Sequence, residues 1–230
     1  MTKQVMKRIA SPRTWNIARK TTRFITRPNP GAHSYDQGIA LAVVLKEHLG
    51  ICQNLKEVKY VISQKQVLVD QVIRDDHRHN IGLMDVLALP LIGKVYRLVL
   101  DKKGKLAIIE IPEKEAGKKV CKVTGKSVLK KGMLQLNLSD GRNIMVQKND
   151  VKVGSSVVID IPSQKMAQNL PLEKGSLILL TGGKHMGDMG TIEEIKEGIL
   201  VYKNAENKKF QTARGHAFVI GKDKAVIKVQ

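Results

Sequence analysis

From about Val67 to the end of the chain, short aliphatic and β-branched runs alternate with turn residues, and this pattern limits the fold more than any other feature. Lys94–Leu100 and Leu106–Ile111 flank the loop Asp101–Gly104, whose glycine can supply the positive φ that a hairpin needs. Further turn signals lie at Ser139–Arg142, Lys152–Gly154 and Pro162–Gln164. Strands at such close spacing predict small antiparallel barrels or sandwiches. We therefore predict a chain that is mainly β, with a small α+β module near its start.

The α+β module is predicted from a helical pattern that precedes the strands. Apolar residues recur with helical spacing between Ile39 and Leu49, and Gly50 is placed to end that helix. Asn54, with Glu57 three positions later, fits a variant capping box and predicts a second helix. The segments that follow are predicted to form a hairpin at Val67–Ile73 and an apolar strand at Leu83–Leu89.

Charge is the strongest guide to the partner. The 230 residues include 40 Lys and Arg against 21 Asp and Glu, a net charge of +19, well above the roughly 2 to 8 charges that keep a small domain soluble. Residues 1–36 carry 8 basic and 1 acidic side chains, the densest excess along the chain. A field of one sign favours binding to a polyanion. The low aromatic content of 3% disfavours base-stacking platforms and favours folded RNA, which is recognised through phosphates and shape.

Residues 1–36 are predicted to form an extended arm, because Pro12, Pro28 and Pro30 interrupt any long helix. We expect the arm to contribute more to RNA affinity than to folding, so that deleting residues 1–30 leaves unfolding of the remainder nearly unchanged. Trp15 either stacks on RNA or anchors the arm on the protein; we expect a pocket shared with RNA, and hence a solvated Trp15 in the free protein. The candidate RNA contacts of the arm are Lys7, Arg8, Arg13, Trp15, Arg19, Lys20, Arg23 and Arg27.

No catalytic, metal or cofactor site is expected. Cys52 and Cys121 are far apart and should be reduced, part-buried residues. The cluster Asp75–His79 could bind metal or act as an acid or base, but such a run is more often a solvated loop, and no nucleophile arrangement accompanies it. No apolar run is long enough for a membrane span and no signal peptide is evident, so we expect a cytoplasmic protein with no membrane partner.

Glycines at 182, 183, 187 and 190 form a tight loop between apolar runs. A phosphate-binding loop would open a helix, whereas this loop enters the β-branched pair Thr191–Ile192, so a connection between two strands is the better interpretation. The segment resembles the KOW motif of ribosomal and transcription-elongation proteins. That resemblance implies an SH3-like barrel over residues 173–230, with Lys184 and His185 as candidate nucleic-acid contacts.

Residues 37 to about 90 resemble the RNA-binding module that bacterial ribosomal protein uS4 shares with some pseudouridine synthases and tyrosyl-tRNA synthetases. In that module the second helix presents basic residues to an RNA groove. The resemblance implies RNA contacts at Lys56, Lys59 and Lys65, with Glu57 diluting the positive charge.

Taken in order, the segments resemble the archaeal and eukaryotic small-subunit ribosomal protein family S4e over nearly the whole chain. The matching segments are Val5–Trp15, Arg27–Pro28, Gly31, His33, Gly82–Val86, Tyr96–Leu98, Lys103–Lys105, Cys121–Val123, Thr181–Gly183 and Phe218–Lys222. Val5 replaces the histidine that usually leads the first segment. The chain also ends soon after Lys222, which we expect of an archaeal member.

The resemblance implies a structural, non-enzymatic constituent of the small ribosomal subunit. Its expected partners are small-subunit ribosomal RNA and neighbouring ribosomal proteins, with one copy of the chain in each ribosome. The predicted division is a basic arm (1–36), a helix-pair RNA-binding module (37–100), a central β domain (101–172) and the KOW barrel (173–230).

Two alternatives from other classes are retained. The chain could be the targeting part of an RNA-modifying enzyme, which would require a catalytic domain with an essential aspartate in a large mixed fold. It could instead be a KOW-type transcription or RNA-handling factor, which would remain with polymerase or in the soluble fraction when small subunits are sedimented at high magnesium.

The net charge of +19 predicts binding dominated by counterion release. The logarithm of the affinity for RNA should fall linearly with the logarithm of salt concentration, with a slope of roughly 0.7 to 0.9 per phosphate contact. A salt titration of RNA binding measures this slope, and a nearly flat dependence would exclude the electrostatic interpretation.

Overall fold

Short antiparallel strands carry most of the regular structure. A computed structural model describes residues 5–147, 149–222 and 224–229, and the first four residues of the predicted arm lie outside it. The chain forms two units, Met1–Val99 with Lys105–Gly117 and Leu100–Gly104 with Lys118–Gln230. The prediction of a mainly β chain is confirmed, whereas the division at residues 36, 100 and 172 stays a prediction.

The first half of the chain combines strands with two short helices. Its strands are β1 (Val5–Lys7), β2 (Phe24–Thr26), β3 (Gly38–Ala40), β4 (Leu68–Val69), β5 (Val72–Ile73), β6 (Asn80–Gly82), β7 (Val86–Leu89), β8 (Lys94–Leu100) and β9 (Leu106–Ile111). Helix α1 (Leu41–Val43) continues as a π-helical turn (Val44–His48), and α2 spans Leu55–Ser63. The sheets are β1–β2, β3–β6 and a five-stranded sheet in the order β5-β4-β7-β8-β9.

The first predicted helix begins two residues later than its apolar pattern. Gly38–Ala40 pairs with Asn80–Gly82 as an antiparallel ladder, and the helix starts only at Leu41. A run buried on every side, Ile39 to Leu45, does not by itself distinguish strand from helix, because both can be apolar throughout. Gly50 ends the helix with φ +65°, as the sequence predicts.

Helix α2 has the predicted cap with one difference. The Asn54 side chain accepts a hydrogen bond from the Glu57 backbone N–H at 3.0 Å. The Glu57 carboxylate accepts from the Gln53 N–H at 2.7 Å, one residue before the cap position of a standard capping box. Both hydrogen bonds of the box are thus formed, and the Glu57 carboxylate is hydrogen-bonded to the backbone at the start of its own helix.

The predicted hairpins form. Asp70 and Gln71 adopt φ of 51° and 59° between β4 and β5, the conformation that a tight two-residue turn requires. Strands β8 and β9 have the predicted bounds, and Gly104 between them has φ +67°. The strand predicted at Leu83–Leu89 begins only at Val86, because Met84 has φ +69° and Asp85 N–H closes a turn onto Gly82 O at 3.0 Å.

The second half contains two five-stranded sheets. The first has the order β12-β11-β10-β13-β14 and is built from β10 (Lys118–Val128), β11 (Leu134–Leu138), β12 (Asn143–Val146), β13 (Ser156–Asp160) and β14 (Lys165–Leu170). The second has the order β18-β17-β16-β15-β19 and is built from β15 (Leu177–Leu180), β16 (Met189–Ile195), β17 (Ile199–Asn204), β18 (Lys209–Ala213) and β19 (Ala217–Gly221).

The glycine-rich loop joins β15 to β16, as predicted. Gly183 and Gly187 have φ of 86° and 92°, which glycine adopts without steric cost. A Cβ at Gly187 would also lie 1.9 Å from the Asp101 carbonyl oxygen, so any other residue would clash with backbone. The loop therefore needs glycine for backbone packing within this unit.

The two cysteines form no disulfide and are buried, more fully than the part-buried positions predicted for them. Cys121 lies in the core of the first sheet of the second unit, together with Val123, Leu136 and Val157. None of the helices in the described residues has the length and apolarity that a membrane-spanning segment requires.

The expectation of a solvated Trp15 is wrong. Its side chain is only 1% exposed, and its indole N–H donates to Gly38 O at 2.9 Å and to Tyr35 O at 3.2 Å. The Leu106 N–H donates to Thr14 O at 2.7 Å beside it. Partners for the indole come from distant parts of the chain, which is why the arm's own lack of periodic apolar residues misled the prediction. The arm is part of the first unit's core, so the predicted independence of folding from residues 1–30 is also wrong.

Replacing Trp15 by Ala should lower the free energy of unfolding by about 3 to 5 kcal/mol, because it opens a cavity and leaves the Gly38 and Tyr35 carbonyls short of a donor. Urea denaturation measures the loss, and Trp15→Phe, which fills most of the space, should lose less. Since Trp15 is the only tryptophan, the free wild-type protein should show blue-shifted emission that iodide quenches poorly. Red-shifted emission with ready quenching would contradict its burial.

Candidate nucleic-acid interface

The structure separates the basic side chains of residues 5–36 by exposure. Lys7, Arg13, Lys20 and Arg23 are exposed, Arg19 and Arg27 are half-buried, and Arg8 is buried. The sequence pattern alone treated them as one set. Only the exposed cations can meet a phosphate without rearrangement of the protein.

Arg8 fixes the arm to the first helix. Its guanidinium donates to the Glu47 carboxylate at 2.8 Å, to the Ala18 carbonyl at 2.9 Å and to the Thr22 hydroxyl at 3.0 Å. The Arg8 side chain is 3% exposed and that of Glu47 17%. The prediction that Arg8 contacts RNA conflicts with this burial, because breaking a buried ion pair costs several kcal/mol. Arg8 is a structural residue.

Arg19 and Arg27 are partly engaged by the protein. The Arg19 guanidinium donates to the Ser11 carbonyl at 2.7 Å and to the Pro12 carbonyl at 2.5 Å, which closes the loop that contains Trp15. The Arg27 guanidinium donates to the Tyr35 hydroxyl and lies 5.6 Å from the centre of that ring. Both side chains retain some exposure, so they shape the surface as well as adding charge to it.

Helix α2 presents an exposed basic surface. Lys56 and Lys59 are exposed on the helix, and Lys65 is exposed just after it with φ +56°. The Glu57 carboxylate accepts bonds at the start of the helix, so the predicted dilution of these lysines by Glu57 does not take the form of an ion pair. Sequence reasoning missed Tyr60, which is 67% exposed on the same helix; its position four residues after Lys56 was the available signal.

In the glycine-rich loop the two predicted contact residues differ in exposure. Lys184 is exposed, whereas His185 is half-buried and its ring lies 4.5 Å from that of Phe210. His185 Nδ1 is also 3.5 Å from the Asp188 carboxylate. Lys184 is therefore available to a partner, and His185 is held largely by its own unit.

The second unit contains two basic residues near its surface that the sequence did not single out. Burial, followed by the nearby Arg214, lowers the pKa of Lys122, and the Lys122 ammonium donates to the Gly215 carbonyl at 2.6 Å. Arg214 is exposed. Nothing in the linear spacing indicated this cluster, because Lys122 and Gly215 are 93 residues apart.

A buried ion pair lies in the same unit. The Lys119 ammonium is 3.1 Å from the Asp140 carboxylate, with side chains 1% and 3% exposed. Burial raises the pKa of Asp140, but Lys119 and Arg142 outweigh that effect and hold it below its usual range. Lys119 belongs to the core and not to any surface for RNA.

The acidic and histidine cluster at Asp75–His79 is a backbone support. The carbonyls of His77 and His79 accept from the N–H groups of Ala42 and Leu41 at 2.9 Å, where the first helix begins. Burial is the main effect that lowers the pKa of both histidines, so their rings are less readily protonated than free imidazole. In the described part of the chain, no group of three or more His, Cys, Asp or Glu side chains is placed to hold a metal ion.

Comparison with known proteins gives consistent matches along the chain. A family model described as "Ribosomal family S4e" matches residues 92–166, and a model of the RS4NT (NUC023) domain matches residues 2–36. The small ribosomal subunit protein eS4 of Methanocella arvoryzae is 38% identical over an alignment that covers 96% of each chain. That of Methanocaldococcus jannaschii is 36% identical over 99% of this chain and 98% of its own.

A solved structure has the same fold. The crystal structure of the 30S ribosomal protein S4e from Thermoplasma acidophilum matches with a TM-score of 0.71 at 27% identity. The match covers 82% of this chain and 97% of that one. The similarity therefore extends over most of the tertiary structure.

Replacing Arg8 by Met should lower the free energy of unfolding by roughly 3 kcal/mol, because the Glu47 carboxylate is left largely buried without its partner. The matched change Arg13→Met, at an exposed position in the same segment, should alter it by less than about 0.5 kcal/mol. Urea denaturation of the two variants provides the comparison. Equal losses of unfolding free energy in the two variants would contradict the assignment of Arg8 to the core and of Arg13 to the surface.

Proposed function

This chain belongs to the ribosomal S4e family, and we propose that it organises small-subunit ribosomal RNA by holding separate basic surfaces against separate RNA segments. It is a structural constituent of the small ribosomal subunit, as are the relatives named small ribosomal subunit protein eS4. Its partners are ribosomal RNA and other ribosomal proteins. The division of labour among its surfaces is the part that we propose.

One observation carries the proposal: seven exposed cations of residues 5–36 and of helix α2 with the residues after it lack carboxylate partners. In the described part of the chain, no ion pair involves Lys7, Arg13, Lys20, Arg23, Lys56, Lys59 or Lys65. Two lysines of the last sheet are instead paired: Lys203 and Lys209 both approach Glu193, at 3.3 and 2.8 Å. An unpaired cation releases counterions when it meets a phosphate, whereas a paired one first loses its own partner. We therefore assign a phosphate-binding surface to these seven cations of the first unit.

The shapes of the two basic surfaces suit different RNA features. Residues 5–36 follow the surface of the first unit without a long helix, so their cations can line a path along backbone phosphates. Helix α2 offers a compact set of lysines with the exposed Tyr60 beside them, which suits an RNA groove or an adjacent unstacked base. The finer assignment of α2 and its neighbours to the uS4-like RNA-binding module rests on this arrangement.

The last sheet fits the proposal of a KOW barrel. Five antiparallel strands surround the buried Tyr202 and Leu200, and the glycine-rich loop leaves Lys184 exposed. We assign this loop a secondary contact, to RNA or to a neighbouring ribosomal protein, because a single lysine supplies little phosphate neutralisation. The proposal also includes the remaining expectations, which are a monomer in the subunit, a cytoplasmic location and no catalytic activity.

Family membership favours this function over the two alternatives. A targeting part of a modifying enzyme would need a separate catalytic domain, and a KOW-type factor would need polymerase as its partner. A tagged chain expressed in cells and sedimented at high magnesium should accompany the small subunits. Recovery with polymerase or in the soluble fraction would favour the transcription-factor alternative.

Replacing Arg13, Lys20 and Arg23 by Ala should weaken RNA binding and lower the salt slope by roughly 0.7 to 0.9 for each phosphate contact removed. The matched control replaces the exposed Lys196 and Lys209 and the half-buried Lys203, all of which approach carboxylates. Both variants lose the same formal charge, so a general charge effect would change them equally. Salt titrations with a small-subunit RNA fragment measure how the affinity of each variant depends on salt. Equal salt slopes for the two variants would contradict the proposed surface.

A further inference from the structure

A cleft in the first unit has a composition that phosphate binding does not explain. It has a volume of about 390 Å³ and is lined by Met6, Ala10, Pro12, Arg27, Tyr35 and Asp36. The volume lies near the lower end of the roughly 300 to 1,000 Å³ typical of small-ligand pockets. The cleft therefore suits one flat group with polar edges, because its walls combine apolar surface with an aromatic ring, a guanidinium and a carboxylate.

The cleft is built on the core and not on a free loop. Tyr35 and Asp36 form the tip of a turn that Gln37 N–H closes onto Ser34 O at 3.1 Å. The buried Trp15 holds both ends of the Tyr35–Gly38 segment through its two indole hydrogen bonds. These bonds fix the turn before any partner binds.

The opposite wall is held in the same way. Arg19 donates to the Pro12 carbonyl at 2.5 Å, and Arg78 donates to the Arg27 carbonyl at 3.1 Å. The Arg27 guanidinium in turn contacts the Tyr35 hydroxyl and ring. A preformed site of this kind loses little conformational entropy on binding.

Asp36 is the feature that identifies the ligand. It is the single acidic residue among residues 1–36, it is exposed, and within the described residues its carboxylate has neither an ion pair nor a hydrogen bond. A carboxylate at this place repels the phosphates that the surrounding cations attract. It is favourable only if the partner brings hydrogen-bond donors to it.

Among groups that bring donors, a nucleobase fits better than a cationic side chain. Arg27 already occupies the neighbourhood of the Tyr35 ring, and the strong positive charge of residues 1–36 disfavours another cation. A neutral base can stack on the Tyr35 and Arg27 pair while its edge meets Asp36. Guanine suits the carboxylate best, because its adjacent N1–H and N2–H groups match the two oxygens of a carboxylate.

We propose that this cleft binds an unpaired guanine of small-subunit ribosomal RNA, with Asp36 reading its Watson–Crick edge and Tyr35 supplying the stacking surface. The inference rests on the proposed RNA-binding function and adds sequence selectivity at one nucleotide. Phosphates on either side of the guanine would meet exposed cations such as Arg13. Trp15 acts here as a positioning residue, since it touches the turn and not the base.

The test uses the full chain and RNA hairpins that are identical except for one bulged nucleotide: guanine, inosine, adenine, cytosine or uracil. Fluorescence anisotropy should show that the guanine bulge binds on the order of tenfold more tightly than adenine, cytosine or uracil, the discrimination expected of one bidentate base contact. Inosine keeps N1–H but lacks the N2 amino group, so its affinity should be intermediate. A fully paired hairpin measures binding through phosphates alone.

Asp36→Asn gives the decisive readout because it moves two affinities in opposite directions. Loss of the carboxylate should abolish the preference for guanine, while loss of a negative charge should raise the affinity for the fully paired hairpin. Asp75→Asn, an exposed carboxylate of the same unit that does not line the cleft, should raise overall affinity and keep the preference. Tyr35→Ala should weaken binding of the guanine bulge, whereas Tyr35→Phe, which keeps the ring, should retain most of it.

The outcomes separate this inference from the function on which it rests. Equal binding of all bulged hairpins by the wild-type chain would overturn the base pocket while leaving RNA binding intact; this result is expected if the cleft instead takes a side chain of a neighbouring protein. A guanine preference that survives Asp36→Asn would also overturn it. Failure to bind any hairpin, including the fully paired one, would count against the proposed function itself.

Discussion

The structure depends on ion pairs that allow a chain with a net charge of +19 to bury a few of its positive charges. In the described residues three Arg or Lys side chains are buried, Arg8, Arg97 and Lys119, and each lies beside a carboxylate. Their partners are Glu47, Glu115 and Asp140. Removing an ion from water costs several kcal/mol unless a partner and hydrogen bonds compensate. This constraint assigns a few cations to the core and leaves the others at the surface for a polyanion.

The pairs do more than neutralise charge. Arg8 and Glu47 tie the amino-terminal segment to the first helix, 39 residues away, and Arg97 and Glu115 tie β8 to the turn after β9. Lys119 lies in β10 and Asp140 in the turn between β11 and β12, and the lowered pKa of Asp140 indicates that the folded state favours its charged form. The contribution of Asp140 is therefore present above the ordinary carboxyl pKa and is lost as pH falls through the lowered value.

Trp15 links the fold of the first unit to its surface. The same indole N–H that removes the arm from solvent fixes the turn that carries Tyr35 and Asp36. A basic arm that was free in solution would lose conformational entropy on binding RNA; this one is ordered beforehand by its own protein. The exposed cations around it consequently have defined positions, which allows selectivity in addition to charge attraction.

Local chemistry explains which parts of the fold the sequence could predict. The turns at Asp70–Gln71, Gly104 and Gly141 and the cap at Asn54 are set by residues within a few positions, so each was predictable from its own segment. The strand at Gly38–Ala40 was not, since it forms only because Asn80–Gly82 pairs with it. The end of β14 at Leu170 was not predictable from its own segment either, since it is set by pairing with β13.

The sequence by itself determined the mainly β class, the hairpin turns, the polyanionic partner and, through its order of short motifs, the S4e family. Those properties depend on composition and on local patterns, which do not change with the contacts that distant parts of the chain make. Only the tertiary structure decided which cations are available, that Trp15 is buried, and that Tyr35, Arg27 and Asp36 share one cleft. Exposure and proximity depend on contacts between residues tens of positions apart, and these contacts leave no periodic trace in the sequence.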